Sequence, residues 1–239
     1  MAVSYSNKSI VTDGLVFYID PANPRSYVSG SLTSYNLINN PSISGSIQDD
    51  GMYNSNSSTC WEFDGTDDYI RCNYNLPSGS VNFSVSAWVK AYNAYVLSPV
   101  YILFDNRNSN LEGMSLIIQN GFTKFRYGGA DQSQWSRPYP TNTGDGTYPW
   151  VNVVATYDPS VGKKIYFNST QVGLSDSSTE ISYYISSSTT VGNASYTDGG
   201  WLRGSVSDFK IYSRTLSGDE VTQNYNALKD RFTPNFKPT

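Results

Sequence analysis

Carboxylates crowd one short segment of this 239-residue chain, and they are the side chains best suited to chemistry. Glu62, Asp64, Asp67 and Asp68 lie within seven positions around Gly65. Two carboxylates about 5 Å apart can cleave a glycosidic bond, one as nucleophile and one as acid. Aspartates are also typical of tight turns, where they accept hydrogen bonds from neighbouring backbone amides. The Asp-Gly pair favours the turn over a catalytic pair.

Histidine is absent from the chain. This absence excludes Ser-His-Asp triads, Cys-His pairs, histidine zinc ligands and HExxH sites. The two cysteines, Cys60 and Cys72, lie at equal distances from Thr66. In a regular hairpin they would face each other, which permits a disulfide, whereas a cytosolic origin favours free thiols. Both alternatives stay open from the sequence.

Aromatic and polar side chains that could bind a sugar occur in two loop-like segments. Sugar sites present aromatic rings to C–H surfaces and a few polar groups to hydroxyls, and exposed aromatic patches often mark binding sites. The alternative is that these rings cover the ends of the fold or pack at a subunit contact. The predicted carbohydrate-binding residues are Trp135, Arg137 and Tyr139 in residues 128–149, together with Tyr196, Asp198 and Trp201.

Charge and hydropathy exclude two classes of partner. The formal net charge is −4 and no basic stripe is visible, so we expect no nucleic-acid binding. No apolar run approaches the ~20 residues of a membrane helix, so we expect no membrane insertion. The first ten residues lack the apolar core of a signal peptide, which favours synthesis in the cytosol.

The elements that would position these side chains are mostly strands. Residues 14–20, 81–89 and 150–158 show strand patterns, and residues 29–58 predict long loops with minor strands. Residues 61–71 predict a strand, a tight turn and a second strand. A further hairpin is expected to turn at Asn168-Ser169.

One helix is expected near the C-terminus. Ser217 and Glu220 form a capping-box pattern just before it. Val221, Tyr225 and Leu228 then recur at helical spacing on one face, so the helix should pack against the sheets.

Six motifs occur in a characteristic order: WEFDGTDDYI, FSVSAWVK, WVNVVATYD, IYFNSTQVG, VGN and GSVSDFKIYSRTLSGDEV. Over roughly residues 14–230 this series resembles the laminin-G-like branch of the concanavalin A-like lectin/glucanase superfamily. The resemblance implies an all-β, two-sheet antiparallel jelly-roll sandwich with a short C-terminal helix. The chain departs from the family pattern at three positions. Asn152 stands where relatives often carry His, Ser169 where they carry Gly, and Lys210 where they often have Arg.

We expect an arm over 1–13, a single domain over 14–232 and a tail over 233–239.

The resemblance also bears on catalysis and metal binding. Glycanases of the superfamily carry a Glu-x-Asp-x-Glu strand, but Thr66 stands at the second Glu position here, so no enzyme is expected. No cofactor is required. A structural calcium is the ion the family implies, with turn capping as the alternative, because calcium takes six to eight oxygen ligands. The candidate ligands are Asp20, Asp64, Asp67, Asp68 and Asp208.

Both ends of the chain resemble domains of bacteriophage structural proteins, in SIVTDGLVFYIDPANPRSY and EVTQNYNALKDRF. The first hypothesis is therefore a non-enzymatic virion protein, a tail fibre, knob or capsid-decorating module. It would be a homo-oligomer that contacts other virion proteins, and its role would be adhesion to a host surface glycan, capsid cementing, or both. The second is an extracellular carbohydrate-binding module of a secreted or cell-surface protein. The third is a glycan hydrolase with unusual carboxylates.

Overall fold

In a computed structural model, the described residues form two antiparallel sheets and one helix, as the sequence predicts. The described residues are 9–38, 40, 42–49, 52–55, 58–76, 79, 81–92, 100–110, 112–119, 121–128, 133–138, 149–172, 188–194 and 200–232. For 128 and 133–138 the backbone alone is described.

The strands, numbered in chain order, divide between two sheets. From edge to edge, sheet 1 contains β14 (Thr170–Gln171), β13 (Gly162–Phe167), β12 (Val151–Asp158), β7 (Phe83–Ala91), β16 (Arg203–Tyr212), β5 (Cys60–Asp64) and β4 (Tyr53–Asn54), and β1 (Leu15–Ile19) pairs with β16. Sheet 2 contains β11 (Ser133–Pro138), β10 (Phe122–Gly128), β9 (Gly113–Gln119), β8 (Tyr101–Asp105), β15 (Thr189–Val191), β6 (Ile70–Cys72), β3 (Ser44–Ile47) and β2 (Thr33–Tyr35).

The core lies between the two sheets and follows from the two-residue period of a strand. In β7, Phe83, Val85 and Val89 are buried in the same hydrophobic cluster as Phe104 and Leu116 of sheet 2. The alternate positions of β7, which include Trp88, point to the outer face of sheet 1. This alternation places a second, partly polar surface on the outside of the sandwich.

Strand β16 holds sheet 1 together. One edge of it pairs with β7 along most of its length. The other edge pairs with β5 over Arg203–Val206 and with β1 over Phe209–Tyr212. The register shifts between Ser207 and Lys210, where Asp208 has φ +55°. This irregularity is where β16 passes from one partner to the other.

The predicted C-terminal helix is confirmed as α1 (Gly218–Phe232). The Ser217 hydroxyl accepts from the Glu220 amide at 3.2 Å, and the Glu220 carboxylate accepts from the Ser217 amide at 2.8 Å. Hydrogen bonds from Arg214 to Glu220 hold the pKa of this carboxyl at about 2.

Among the described residues, no helix combines the length and apolarity needed to cross a bilayer.

Helix α1 packs on the outer face of sheet 1. Its residues Tyr225 and Phe232 stack on Trp88, with ring centroids 5.5 and 4.3 Å apart. Asn224 donates to the Tyr212 hydroxyl at 3.0 Å and accepts from the Val11 amide at 2.8 Å. The described part of the N-terminal arm, from residue 9, therefore lies against the helix. The proposed arm and domain boundaries remain predictions.

The predicted strand-turn-strand around Gly65 is not a hairpin. The two strands form, but β5 joins sheet 1 and β6 joins sheet 2, because the chain crosses between the sheets at this turn. Cys60 pairs with Asn54, and Cys72 pairs with Gly45 and Thr189, so the two cysteines are not opposite each other. Both cysteines are free.

The prediction of a loop over residues 128–149 is wrong for residues 133–138. These residues form β11, which pairs with β10 in register from Phe122↔Pro138 to Tyr127↔Ser133. The strand lies at the edge of sheet 2, and Pro138 is its last residue. Edge positions tolerate proline because one side of the strand needs no amide donor.

The predicted turn at Asn168-Ser169 is confirmed between β13 and β14. Both residues have positive φ, +49° and +70°, as a type I′ turn requires. The Asn168 side chain accepts from the Asn152 amide at 2.9 Å. Serine is costly at the second position because the left-handed region crowds its Cβ.

Replacing Ser169 with glycine should therefore stabilise the protein by about 1 kcal/mol. Thermal and urea unfolding of the full chain would measure the change. The matched control is Thr170→Gly in β14. This change should destabilise the protein, because glycine in a strand loses more conformational freedom on folding. Equal destabilisation by both changes would show that this turn is not strained at Ser169.

Candidate functional site

Two hollows share Glu62 and Tyr92 in their lining, and together they are called the groove. The larger, which we call the acidic hollow, has a volume of about 480 Å³. The smaller, which we call the tryptophan hollow, has a volume of about 140 Å³. The acidic hollow is lined by Asp49, Met52, Glu62, Phe63, Asp64, Asp67, Asp68, Tyr92 and Arg203. The tryptophan hollow is lined by Asn54, Ser58, Cys60, Glu62, Lys90, Tyr92, Trp150 and Ser205.

The floor of the groove is a row of side chains on three adjacent strands. Ser205 of β16 lies opposite Glu62 of β5 on one side and Lys90 of β7 on the other. The neighbouring residues Trp61 and Val206 face the core. Strand alternation therefore turns Glu62, Ser205 and Lys90 outward together.

A glycine brings these strands into close contact at the groove. Gly204 has φ +155°, and a Cβ at this position would lie 2.2 Å from the carbonyl oxygen of Lys90. No side chain fits between the two backbones here. The floor therefore requires glycine at position 204.

The carboxylates around Gly65 form the acidic end of the groove. The Asp64 amide donates to Asp68 at 2.8 Å, and the Thr66 amide donates to Asp64 at 2.7 Å. Burial raises the pKa of the Asp68 carboxyl, and the negative charges of Asp64, Asp67 and Asp49 act in the same direction. Turn capping, the alternative weighed from the sequence, accounts for the placement of Asp64 and Asp68.

These carboxylates also satisfy part of what a calcium site needs. One oxygen from each of Asp64, Asp67 and Asp68 lies within 4.8 Å of the others. Calcium takes six to eight oxygens, so three carboxylates supply part of a coordination shell. The calcium site at Asp64, Asp67 and Asp68 stays a prediction.

The structure places the other two predicted metal ligands in a different, cation-rich group. The Arg231 guanidinium of α1 donates to both oxygens of Asp20 at 2.9 Å. Asp208 is fully buried and pairs with Lys210, and burial raises the pKa of its carboxyl. Tyr18 lies beside both acids, and burial raises the pKa of its hydroxyl. Asp20 and Asp208 therefore compensate cations and do not join the Asp64 cluster.

Arg231 also supports the tryptophan hollow. It donates to the carbonyl oxygens of Ser58 at 2.9 Å and Thr59 at 2.7 Å, and Ser58 lines the hollow. The next residue, Phe232, lies 5.0 Å from Trp150, measured between ring centroids. The last turn of α1 thus positions one side of the hollow.

The structure describes only part of the predicted carbohydrate-binding set, so this site stays a prediction. Trp135 and Arg137 belong to β11, for which the backbone alone is described. Tyr139, Tyr196 and Asp198 lie outside the described residues. Trp201 is half-buried, and its ring centroid lies 6.2 Å from that of Tyr69. The Arg71 guanidinium lies over the Tyr69 ring, 5.3 Å from its centroid.

The sequence analysis missed Lys90, Tyr92, Trp150 and Arg203 as groove residues. Lys90 could have been found, because it continues the outward positions of the alternating strand that begins at Phe83. The other three depend on which strands are neighbours in the sheet, and no local pattern contains that information.

Comparison with known proteins identifies relatives at the level of fold and family. The Laminin_G_3 model, described as the concanavalin A-like lectin/glucanases superfamily, matches residues 64–222, more than half of the chain. A comparison with curated proteins found no significant match.

Similar solved structures are binding domains of bacterial toxins. The botulinum neurotoxin serotype D ligand-binding domain in complex with N-acetylneuraminic acid is 19% identical, with a TM-score of 0.67, over 89% of this chain and 50% of that one. The receptor-binding domain of the C/D mosaic serotype is 19% identical, with a TM-score of 0.68, over 90% and 51%. These similarities show a shared fold, and the chain spans about half the length of both structures.

Truncation of Arg231 should have a large effect, because it leaves the buried carboxylate of Asp20 without its cation. We expect Arg231→Ala to lower the free energy of unfolding by about 3 kcal/mol, measured by urea denaturation. The free energy of unfolding of Arg231→Lys should lie between those of the wild type and Arg231→Ala, since lysine keeps the charge and loses the planar donor fork.

Lys229→Ala, on the same helix, is the matched control and should change stability by less than about 0.5 kcal/mol. Equal losses at positions 229 and 231 would contradict a specific role for the Asp20 ion pair.

Proposed function

The chain belongs to the concanavalin A-like lectin/glucanase superfamily, and on this premise we propose that it is a non-enzymatic glycan-binding module. The observation that carries the proposal is the groove beside β5, β7 and β16, in which aromatic rings adjoin hydrogen-bonding side chains. We propose this groove as the binding site.

The chemistry of the groove suits a sugar. Trp150 and Tyr92 offer aromatic surface for the C–H faces of a ring, while Glu62 and Lys90 offer an acceptor and a donor for hydroxyls. The volume of the acidic hollow, about 480 Å³, lies within the range of ~300–1,000 Å³ usual for small-molecule sites.

Two features favour binding over catalysis. Thr66 stands where the glycanases of the superfamily have a second Glu. Glu62 and Asp64 are both solvent-exposed, whereas the acid of a glycosidase is usually kept protonated at neutral pH by apolar surroundings. The lectin-like and receptor-binding folds of the related proteins point in the same direction.

The similar toxin domain with bound N-acetylneuraminic acid supports a glycan as the ligand. The sugar is bound to the whole toxin domain, of which this chain spans about half. A second candidate surface is the group of Trp201, Tyr69 and Arg71, with the sequence-predicted residues Trp135, Arg137, Tyr139, Tyr196 and Asp198 as further proposed contacts. Substitutions at Glu62, Lys90 and Trp201 distinguish the two surfaces.

A glycan array covering neutral, amino and sialylated sugars tests the proposal, followed by calorimetry on the best ligand. Glu62→Gln and Lys90→Ala should each weaken binding at least ~10-fold, because each removes a hydrogen bond to a charged group. Lys164→Ala, on β13 outside both hollows, is the matched control and should bind normally.

Binding that survives both groove changes and disappears in Trp201→Ala would assign the site to the second surface. Release of sugar from a polysaccharide panel would contradict the non-enzymatic proposal.

The finer proposal is that the module is part of a virion, as a tail fibre, knob or capsid-decorating protein made in the host cytoplasm. It would act by adhesion or cementing. The resemblance of both chain ends to bacteriophage structural proteins supports this, and the alternative is an extracellular carbohydrate-binding module. We also propose that Asp64, Asp67 and Asp68 bind a structural calcium ion.

A virion role predicts a closed homo-oligomer, because assemblies of identical chains are usually symmetric. Sedimentation velocity of the purified chain should show one oligomeric species, and flanking genes should encode capsid or tail proteins. A monomer at micromolar concentration, together with flanking genes for secreted enzymes, would favour the extracellular module.

A further inference from the structure

We propose that residues 20–31 form a strap that keeps one edge of sheet 2 closed to a second copy of this chain. Sheet 2 ends at β2, and an edge strand normally presents backbone groups that can pair with another chain. The inference does not rest on the glycan-binding proposal, because it concerns the β2 edge and not the groove.

The backbone of β2 alternates between its neighbour β3 and the outside. The Ile47 amide donates to the Leu32 carbonyl at 2.9 Å, so Leu32 and, two positions later, Ser34 bond toward β3. In an antiparallel ladder the residues between such pairs bond to the other side. Thr33 and Tyr35 therefore direct their amides and carbonyls away from β3.

The strap satisfies these four outward groups of β2. The Ser31 hydroxyl accepts from the Thr33 amide at 3.0 Å and donates to the Thr33 carbonyl at 2.9 Å. The Ser26 carbonyl accepts from the Tyr35 amide at 2.6 Å. The Ser26 hydroxyl donates to the Tyr35 carbonyl at 2.8 Å. Each group that could pair with another chain is thus already bonded within this one.

The strap is anchored in sheet 1 and in the helix. Ser26 is fully buried, and its hydroxyl also accepts from the Asp20 amide at 3.1 Å. The neighbouring Tyr27 is buried, and its ring centroid lies 4.8 Å from that of Tyr53 in β4. Asp20 pairs with Arg231 of α1. The strap is therefore held from outside the sheet whose edge it closes.

The segment around this edge lacks protection by charge. Natural edge strands often carry lysine or other charged residues, which oppose pairing with another chain. No charged residue occurs between Arg25 and Asp49. Leu32 and Tyr35 are large side chains that are 54% and 55% exposed. The strap therefore supplies the protection that charge supplies elsewhere.

A second copy of the chain fits the opened edge, because the outward groups of β2 are complementary to themselves. In an antiparallel pair centred on Ser34, Thr33 of each copy faces Tyr35 of the other. Both residues bond outward, so each of the two pairs would exchange two hydrogen bonds. Four intermolecular bonds would replace the four that the strap supplies, in an interface with two-fold symmetry.

The test is the double variant Ser26→Ala/Ser31→Ala of the full chain, which removes three of the four strap bonds. Sedimentation velocity over a concentration series should show self-association beyond the wild-type species. At low concentration the Thr33 amide should exchange its hydrogen at least ~5-fold faster, because its acceptor is gone. Ser31→Ala alone leaves the buried Ser26 intact and should show the same faster exchange.

Two further variants make the result specific to the edge. Ser29→Ala lies in the same strap, removes none of the four bonds and should behave as the wild type. Thr33→Pro, added to the double variant, removes an amide that β3 does not use. Proline at this position should suppress pairing at the edge and return the association to the wild-type level.

Association that persists in the triple variant would come from general loss of stability and would overturn the proposal. Faster exchange of the Thr33 amide without added association would overturn it as well, because the opened edge would then attract no second copy. Unchanged exchange and unchanged sedimentation in the double variant would show that the strap does not close the edge.

Discussion

The rest of the structure depends on the pairing of β16 with three other strands. It pairs with β7 on one edge and with β5 and then β1 on the other. The change of partner occurs at Asp208, whose positive φ places a carboxylate in a fully buried position. Lys210 supplies the positive charge that makes this burial tolerable, and Arg231 pairs with the neighbouring Asp20. A polar group in the interior is thus the consequence of joining three strands at one point.

The same strand connects the fold to the candidate site. Its first half carries Arg203, Gly204 and Ser205, which form the floor and one wall of the groove. Its second half carries Tyr212, which bonds to Asn224 of α1 and to the carbonyl of Val11. The helix covers one part of the outer face through the rings of Tyr225 and Phe232 and through polar contacts of Asn224 and Arg231. Position along β16 therefore decides which part of the face is packed and which part can bind a ligand.

Much of the architecture could be predicted because it is written in local patterns. The alternation from Phe83 to Val89 predicts a half-buried strand, and the Ser217–Glu220 pair predicts the start of α1. The Asn168-Ser169 turn follows from residue types that tolerate positive φ. The hairpin expected around Gly65 was wrong because a turn sequence specifies a reversal without specifying which sheet the chain enters afterwards. The edge strand β11 was missed because Pro138 and the surrounding polar residues resemble a loop.

The candidate site shows the same division. The sequence by itself determined the two-sheet fold class, the capped helix, the absence of histidine chemistry and the cluster of acids around Gly65. Those properties depend on residue type and short spacing. Only the tertiary structure decided that Glu62, Lys90 and Ser205 form one row, that Trp150 stands at its end, and that Asp20 and Asp208 bind cations. Some of these relations, such as Lys90 opposite Ser205 and Asp20 with Arg231, join residues more than a hundred positions apart, because strand order in a jelly roll is set by packing of the whole domain.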